Sequence, residues 1–196
     1  MNNKACDIMI VGVGGQGSLL ASKLLGHILL KQGYDVKVSE VHGMSQRGGS
    51  VVTYVRCADK VYSPVIDKGE ADYILSFELL EASRWISYLK KDGKIITNTQ
   101  EIDPMPVITG AATYPEDLVN KIKASGAYVD ALDCLSLANE AGSSKAVNLV
   151  LLGRFSKYFD IPESEWLVAI EEMVAPKFVE MNKKAFALGR NYNSQA

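Results

Sequence analysis

Apolar residues along the chain alternate between short continuous runs and runs with helical spacing. Asp7 to Val11 is a five-residue stretch that is almost wholly apolar, the pattern of a buried parallel strand. Leu19 to Lys31 has helical spacing and stops at Gln32-Gly33, with Gly33 placed as a left-handed helix terminator. Asp35 to Val41 alternates polar and apolar positions and predicts a second strand. Together these three pieces have the length of a βαβ unit. Val51 to Arg56 is strongly β-prone, and Val61-Tyr62-Ser63, after the turn-like Asp59-Lys60, reads as the return strand of a hairpin.

Further on, Ala71 to Phe77 predicts a strand and Leu79 to Lys90 a helix, with Asp92-Gly93 as its stop. Lys94 to Thr99 and Tyr128 to Leu132 read as strands. Between them lie a rigid, extended Asp103-Pro104-Met105-Pro106 connector and a helix opening at Pro115, running to Ala124 and stopping at Gly126. From about residue 135 the pattern is helical. Ala138 to Phe159 is interrupted at Gly142, Glu163 to Val174 follows Pro162, and Lys177 to Leu188 follows Pro176 and stops at Gly189. Strands alternating with helices predict one three-layer α/β/α sandwich over residues 1–196, Rossmann-like, with a mostly parallel sheet and a helical C-terminal segment.

In such sheets ligands bind beyond the carboxyl ends of the strands. The first strand runs into Gly12-Val13-Gly14-Gly15-Gln16-Gly17, where Gly12, Gly14 and Gly17 have the G-x-G-x-x-G spacing. Glycines there allow a tight turn, close backbone approach to a ligand and close helix–strand packing, and the helix start favours an anion. A tight turn that binds nothing fits the spacing equally well. A second glycine-rich loop holds Ser45, Gln46, Arg47, Gly48 and Gly49. Its arginine offers a planar fork of donors suited to carboxylate or phosphate. Both loops, and Glu78 after the Phe77 strand end, are expected at one edge of the sheet. Glu78 is read first as a helix cap and second as an active-site-facing acid. Glu40 ends the second strand where a dinucleotide fold has its ribose-binding acid, though a solvent-facing carboxylate is the simpler reading. Asn148, in an apolar helix, is expected to order a neighbouring loop. Cys134, with no histidine near it in sequence, is at most a weak nucleophile candidate. No catalytic residue is assigned.

Composition narrows the classes. A hydrophobic fraction of 47% supports a packed core, and a net charge of −2 without a basic run disfavours nucleic acid and anionic membranes as partners. Cys6, Cys57 and Cys134 are widely spaced, and His27 and His42 are the two histidines, so neither an iron–sulfur motif nor another metal site is expected from this chain. The apolar runs are short for a bilayer, and Met1 to Lys4 lack signal-peptide form, so a cytoplasmic protein is expected.

Taken together, Gly12 to Gly17, Gly43-Met44-Ser45-Gln46-Arg47-Gly48-Gly49-Ser50, Ser63 to Ile66, Gly69-Glu70-Ala71-Asp72, Glu78, Ala82-Ser83-Arg84 and Asn148 to Gly153 form a recognisable set. In these motifs the chain resembles the gamma-domain family of the 2-oxoacid:ferredoxin oxidoreductases, and within it the beta subunit of the indolepyruvate branch. The likeness spans Asp7 to about Leu188. It implies a small subunit that binds no cofactor by itself and is inactive alone. A large alpha subunit would carry thiamine diphosphate, Mg and [4Fe-4S] clusters, ferredoxin would take the electrons, and coenzyme A would be the cosubstrate. Gly12 to Gly17 and Ser45 to Gly49 become candidate contacts to the partner's active site or to coenzyme A. Two other readings compete: a free-standing NAD(P)-dependent oxidoreductase, carried by Gly12, Gly14, Gly17 and Glu40, and a non-catalytic nucleotide- or coenzyme-A-binding module. An uncovered docking face would favour a homodimer in isolation.

Overall fold

A computed structural model describes residues 5–43 and 48–193. Its centre is a six-stranded sheet. The strands are β1 (Cys6–Val13), β2 (Asp35–His42), β3 (Ser50–Ala58), β4 (Ala71–Ser76), β5 (Leu89–Asn98) and β6 (Tyr128–Leu132), in the spatial order β2-β3-β1-β4-β5-β6. The β1–β4, β4–β5 and β5–β6 pairs are parallel, whereas β3 is antiparallel to both of its neighbours. The sheet is therefore mostly parallel, with one reversed strand inserted between β1 and β2. The expected βαβ unit is present in sequence, but its two strands do not touch.

That insertion removes the hairpin expected at residues 61–63. Both edges of β3 are already filled, so no ladder is open to a return strand. The Val61 N–H donates instead to the Asp35 side chain at 2.9 Å, and Arg56 Nη1 donates to the Val65 carbonyl at 2.6 Å.

The helices are α1 (Ser18–Lys31), α2 (Leu79–Arg84), α3 (Met105–Ile108), α4 (Leu118–Ala124), α5 (Cys134–Ala141), α6 (Val147–Phe155), α7 (Glu163–Met173) and α8 (Val179–Arg190). On one sheet face, Ile8, Ile10, Leu75 and Ile96 pack with residues of α1, α5, α6, α7 and α8. On the other, Met9, Val11, Ile74 and Ile95 pack with Ala82 of α2 and Ile122 of α4. Neighbouring residues of the central strands are thus buried on opposite faces, which explains their unbroken apolar runs.

Several boundaries differ from the sequence reading. The helix expected over Leu79–Lys90 ends at Arg84. A short 3₁₀ turn, Ile86–Tyr88, leads into β5, and Leu89 pairs with Ala71. Strand pairing outcompetes the helical spacing of an aromatic and β-branched stretch. Asp92-Gly93 then lies inside β5 as a bulge, Asp92 at φ 65° and Gly93 so close that a Cβ would sit 3.0 Å from the Ala71 carbonyl oxygen. The Pro-rich connector contains the single turn α3, and the helix expected from Pro115 begins at Leu118. The stretch 138–159 is divided between α5 and α6. Gly189, expected to end the last helix, lies within it. A Cβ on Gly189 would overlap the Val150 carbonyl, and one on Gly153 the Phe186 carbonyl, so both glycines serve the close crossing of α6 and α8.

Candidate functional site: the carboxyl rim of the sheet

The carboxyl ends of β1, β2, β4, β5 and β6 and the start of β3 form one rim. Val13 faces Ser50 and His42 faces Val51 across the ladder, so the glycine turn and the second loop meet there. The Gly14 N–H donates to the Gly49 carbonyl at 2.9 Å. Gly12, Gly14, Gly15, Gln16, Gly17, Gly48 and Gly49 therefore belong to one neighbourhood. Ser45, Gln46 and Arg47 lie outside the described residues.

Each part of the turn has a physical reason. Gly15 and Gly17 take φ values of 100° and 85°, which favour glycine. A Cβ on Gly12 would come within 2.9 Å of Phe77 Cβ. The Gln16 side chain turns inward. Its Oε1 accepts from the Val13 N–H at 2.9 Å and its Nε2 donates to the Phe77 carbonyl at 2.9 Å. The β1–β4 ladder has its last register pair at Val11 and Ser76, and the Gln16 amide adds one more rung beyond it. Gln16, a candidate contact in the sequence, thus has both ends of its side-chain amide engaged as a strand clamp. Asn148 approaches from α6, its Nδ2 donating to the Gly17 carbonyl at 3.4 Å.

Polar rungs continue along the rim. Asn98 Nδ2 donates to the same Phe77 carbonyl at 3.2 Å, and Asn98 Oδ1 accepts from the Cys134 N–H at 3.1 Å. The ends of β1, β4 and β5 and the start of α5 are thereby tied by side-chain amides. Glu78, buried to 1% exposure, accepts from the Glu81 N–H at 2.9 Å, the Tyr114 hydroxyl at 2.6 Å and the Ile102 N–H at 3.1 Å. It caps α2 and anchors the 99–117 excursion, and its carboxylate is filled by internal donors. Burial, then the bond to Glu78, pushes the Tyr114 phenol well up from its ordinary value. Glu81 is a second buried hub, accepting from Ser50 Oγ at 2.6 Å and Trp85 Nε1 at 3.1 Å. Burial also pushes the Cys134 thiol well up from its ordinary value.

The N–H groups of Gly15, Gly17, Ser18 and Leu19 have no hydrogen-bond partner among the described residues. They open the 14-residue α1, which has no acidic residue in its first turn and no side-chain cap. That end favours an anion. Two cavities flank the turn. One, of about 430 Å³, is lined by Gly14, Gly15, Gly17, Ser18, Glu40 and His42 among others. The other, of about 470 Å³, adds Gln100, Ile102, Ser144 and Lys145 to Gly15, Gln16 and Gly17. Residues 7–192 match the pyruvate ferredoxin/flavodoxin oxidoreductase family. The chain belongs to that family.

Within the family, the chain is 47% identical to the indolepyruvate oxidoreductase subunit IorB of Thermococcus kodakarensis over 95% of both chains. The pyruvate oxidoreductase subunit PORC of Thermotoga maritima superposes with a TM-score of 0.75 at 20% identity, covering 95% of this chain and 96% of that one. The 2-oxoglutarate:ferredoxin oxidoreductase of Magnetococcus marinus, solved with 2-oxoglutarate, coenzyme A and succinyl-CoA bound, superposes with a TM-score of 0.73 at 19% identity. There the match covers 95% of this chain and 30% of the other, so the same fold occurs as one part of a longer polypeptide.

The described residues contain no group of three His, Cys, Asp or Glu side chains that could hold a metal ion, and no helix long and apolar enough to cross a membrane. At the rim lie unpaired backbone donors, the Lys145 cation and the side-chain oxygens of Glu40 and Gln100. Sequence reading missed Asn98, Glu81, Tyr114 and Lys145. Asn98, at the end of the strand that holds Ile95 and Ile96, carried the clearest signal, because a buried amide must be satisfied. The other three depend on contacts across distant segments.

Proposed function

We propose that this chain is the small beta subunit of a heteromeric, thiamine-dependent indolepyruvate:ferredoxin oxidoreductase. The complex oxidatively decarboxylates an arylpyruvate to its acyl-CoA in the cytoplasm. The observation that supports this most is the 47% identity to an indolepyruvate oxidoreductase subunit across 95% of both chains. In this reading a large alpha subunit holds thiamine diphosphate, Mg and the [4Fe-4S] clusters, and ferredoxin takes electrons from the complex. The small chain contributes its carboxyl rim, as one 1–196 domain facing the partner's active site.

Coenzyme A is the ligand assigned to the rim. Its phosphates suit the unpaired N–H groups at the start of α1, and the flanking cavities have room for its arm beside Lys145 and Gln100. Arg47, with Ser45 and Gln46, is assigned to the same ligand or to the partner. The Gly49 carbonyl ties the second loop to the turn by accepting from the Gly14 N–H, and Gly48 before it takes φ 72°. Glu78 acts by holding the 99–117 excursion in place.

Reconstitution tests this. Indolepyruvate- and coenzyme-A-dependent dye reduction should require both chains and should prefer indolepyruvate to pyruvate. Full turnover by the large subunit alone would overturn the proposal. Glu40 lines the cavity beside the glycine turn, which favours the NAD(P)-binding alternative enough to test it. Calorimetric binding of NAD or NADP to this chain would support that alternative.

A further inference from the structure

At the edge of the sheet opposite the rim, Cys6 and Cys57 face each other as register partners on β1 and β3. The Asp7 N–H donates to the Asp72 side chain on β4, so by alternation Cys6 directs its own N–H toward β3. Such directly bonded pairs hold their Cα atoms about 5.5 Å apart. That lies within the roughly 4.4–6.8 Å window a disulfide requires. As register partners their side chains share one face of the sheet, where Cys57 joins the core cluster and Cys6 packs against it, and both thiols are free. Cys6 is half-buried, and Cys57 lines a depression of about 310 Å³ with Arg56, Lys60, Tyr62 and Ser63. Cys134 is buried in the other part of the fold, beside Asn98 at the rim.

We propose that Cys6 and Cys57 form a redox-active dithiol, which closes to an intrachain disulfide by exchange with a low-molecular-weight disulfide. The Cys57 thiolate attacks one sulfur of the small disulfide. A mixed disulfide forms and the first small thiolate leaves, taking up the proton that Cys57 lost. The Cys6 thiol then gives up its proton, attacks the Cys57 sulfur and expels the second small thiol. Two protein thiols are oxidised by two electrons, and the small disulfide is reduced to two thiols. Cys57 borders the open depression, and the neighbouring Cys6 holds the Cys57 thiol below its ordinary value, which makes Cys57 the entering nucleophile. The product staples the first residue of β1 to β3, at the floor of the sheet and away from the rim. The pair registers thiol poise on a face that the proposed ligand does not occupy.

The full chain is equilibrated with oxidised and reduced dithiothreitol at graded ratios under native conditions, quenched with acid, then unfolded in denaturant with an alkylating agent and mapped by peptide mass. The expected result is a Cys6–Cys57 linked peptide, lighter by two hydrogens, with Cys134 alkylated throughout and the circular dichroism unchanged. Cys6→Ser should lose the link and instead trap a mixed disulfide at Cys57 when a monothiol disulfide is the oxidant. Thiols that stay reduced until the chain unfolds, or a link that involves Cys134, would overturn the proposal.

Discussion

Replacing Gln16 with alanine removes the extra rung between β1 and β4. The Val13 N–H then has no partner among the described residues, while the Phe77 carbonyl keeps its bond from Asn98. One partly buried donor left unsatisfied costs about 1–3 kcal/mol. For a chain of this size that corresponds to a fall in melting temperature of roughly 2–10 °C. Gln16→Glu is the sharper version. One carboxylate oxygen still accepts from Val13, but the other meets the Phe77 carbonyl oxygen, acceptor against acceptor. The glutamate is then better accommodated protonated, so its folded-state pKa rises above the unfolded value of about 4.3. By linkage the deficit of Gln16→Glu against wild type is full at neutral pH and shrinks as pH falls through that raised value. Urea unfolding of wild type and both variants between pH 4 and 7 measures this. A Gln16→Ala deficit under about 0.5 kcal/mol, or a Gln16→Glu deficit that does not shrink with acid, would refute the rung.

Other substitutions probe separate parts of the account. Gly153→Ala and Gly189→Ala each force α6 and α8 apart. Each should cost about 1–3 kcal/mol or more by chemical denaturation, and the double variant less than the sum, because the same separation relieves both clashes. Gly15→Ala has open space around it, so its stability loss should stay near 1 kcal/mol, roughly the strain of a left-handed alanine. It should nonetheless weaken coenzyme A binding to the complex by calorimetry, because Gly15 lines both cavities. The bonds from Lys37 and the Val61 N–H hold the Asp35 carboxyl at about 2, below the usual carboxylate range. A depressed carboxyl contributes stability that is full above the unfolded value and is lost as pH falls toward 2. Asp35→Asn should flatten that acid limb in a pH series of unfolding curves.

The elements that sequence revealed best are those whose burial pattern is local. β1, β6 and α1 are legible because every residue of β1 from Ile8 onward is buried and because Gly33, at φ 87°, closes α1. The insertion of β3 between β1 and β2 was not legible, since strand order depends on partners and not on local spacing. Likewise, pairing of Leu89 with Ala71 cut the expected helix short at Arg84, and the filled edges of β3 left Tyr62 in a loop, 90% exposed. At the rim the glycines announced the turn, yet nothing local showed that the Gln16 amide would face inward. Its two partners are the strand before it and a carbonyl 61 residues away. Gly189 misled for a related reason, because a glycine that permits helix contact and one that ends a helix look alike in sequence.

The central claim is that the carboxyl rim is the working face of this subunit. Amide hydrogen exchange, followed by mass spectrometry on the chain alone, with its large subunit, and with coenzyme A added to the complex, tests it most directly. The account predicts slowed exchange over Gly14 to Leu19 and at Gly49 on assembly or ligand addition, with little change at Asp92-Gly93 and Ser125 to Ala127 on the far edge. Protection confined to that far edge, with the glycine turn unaffected throughout, would contradict it.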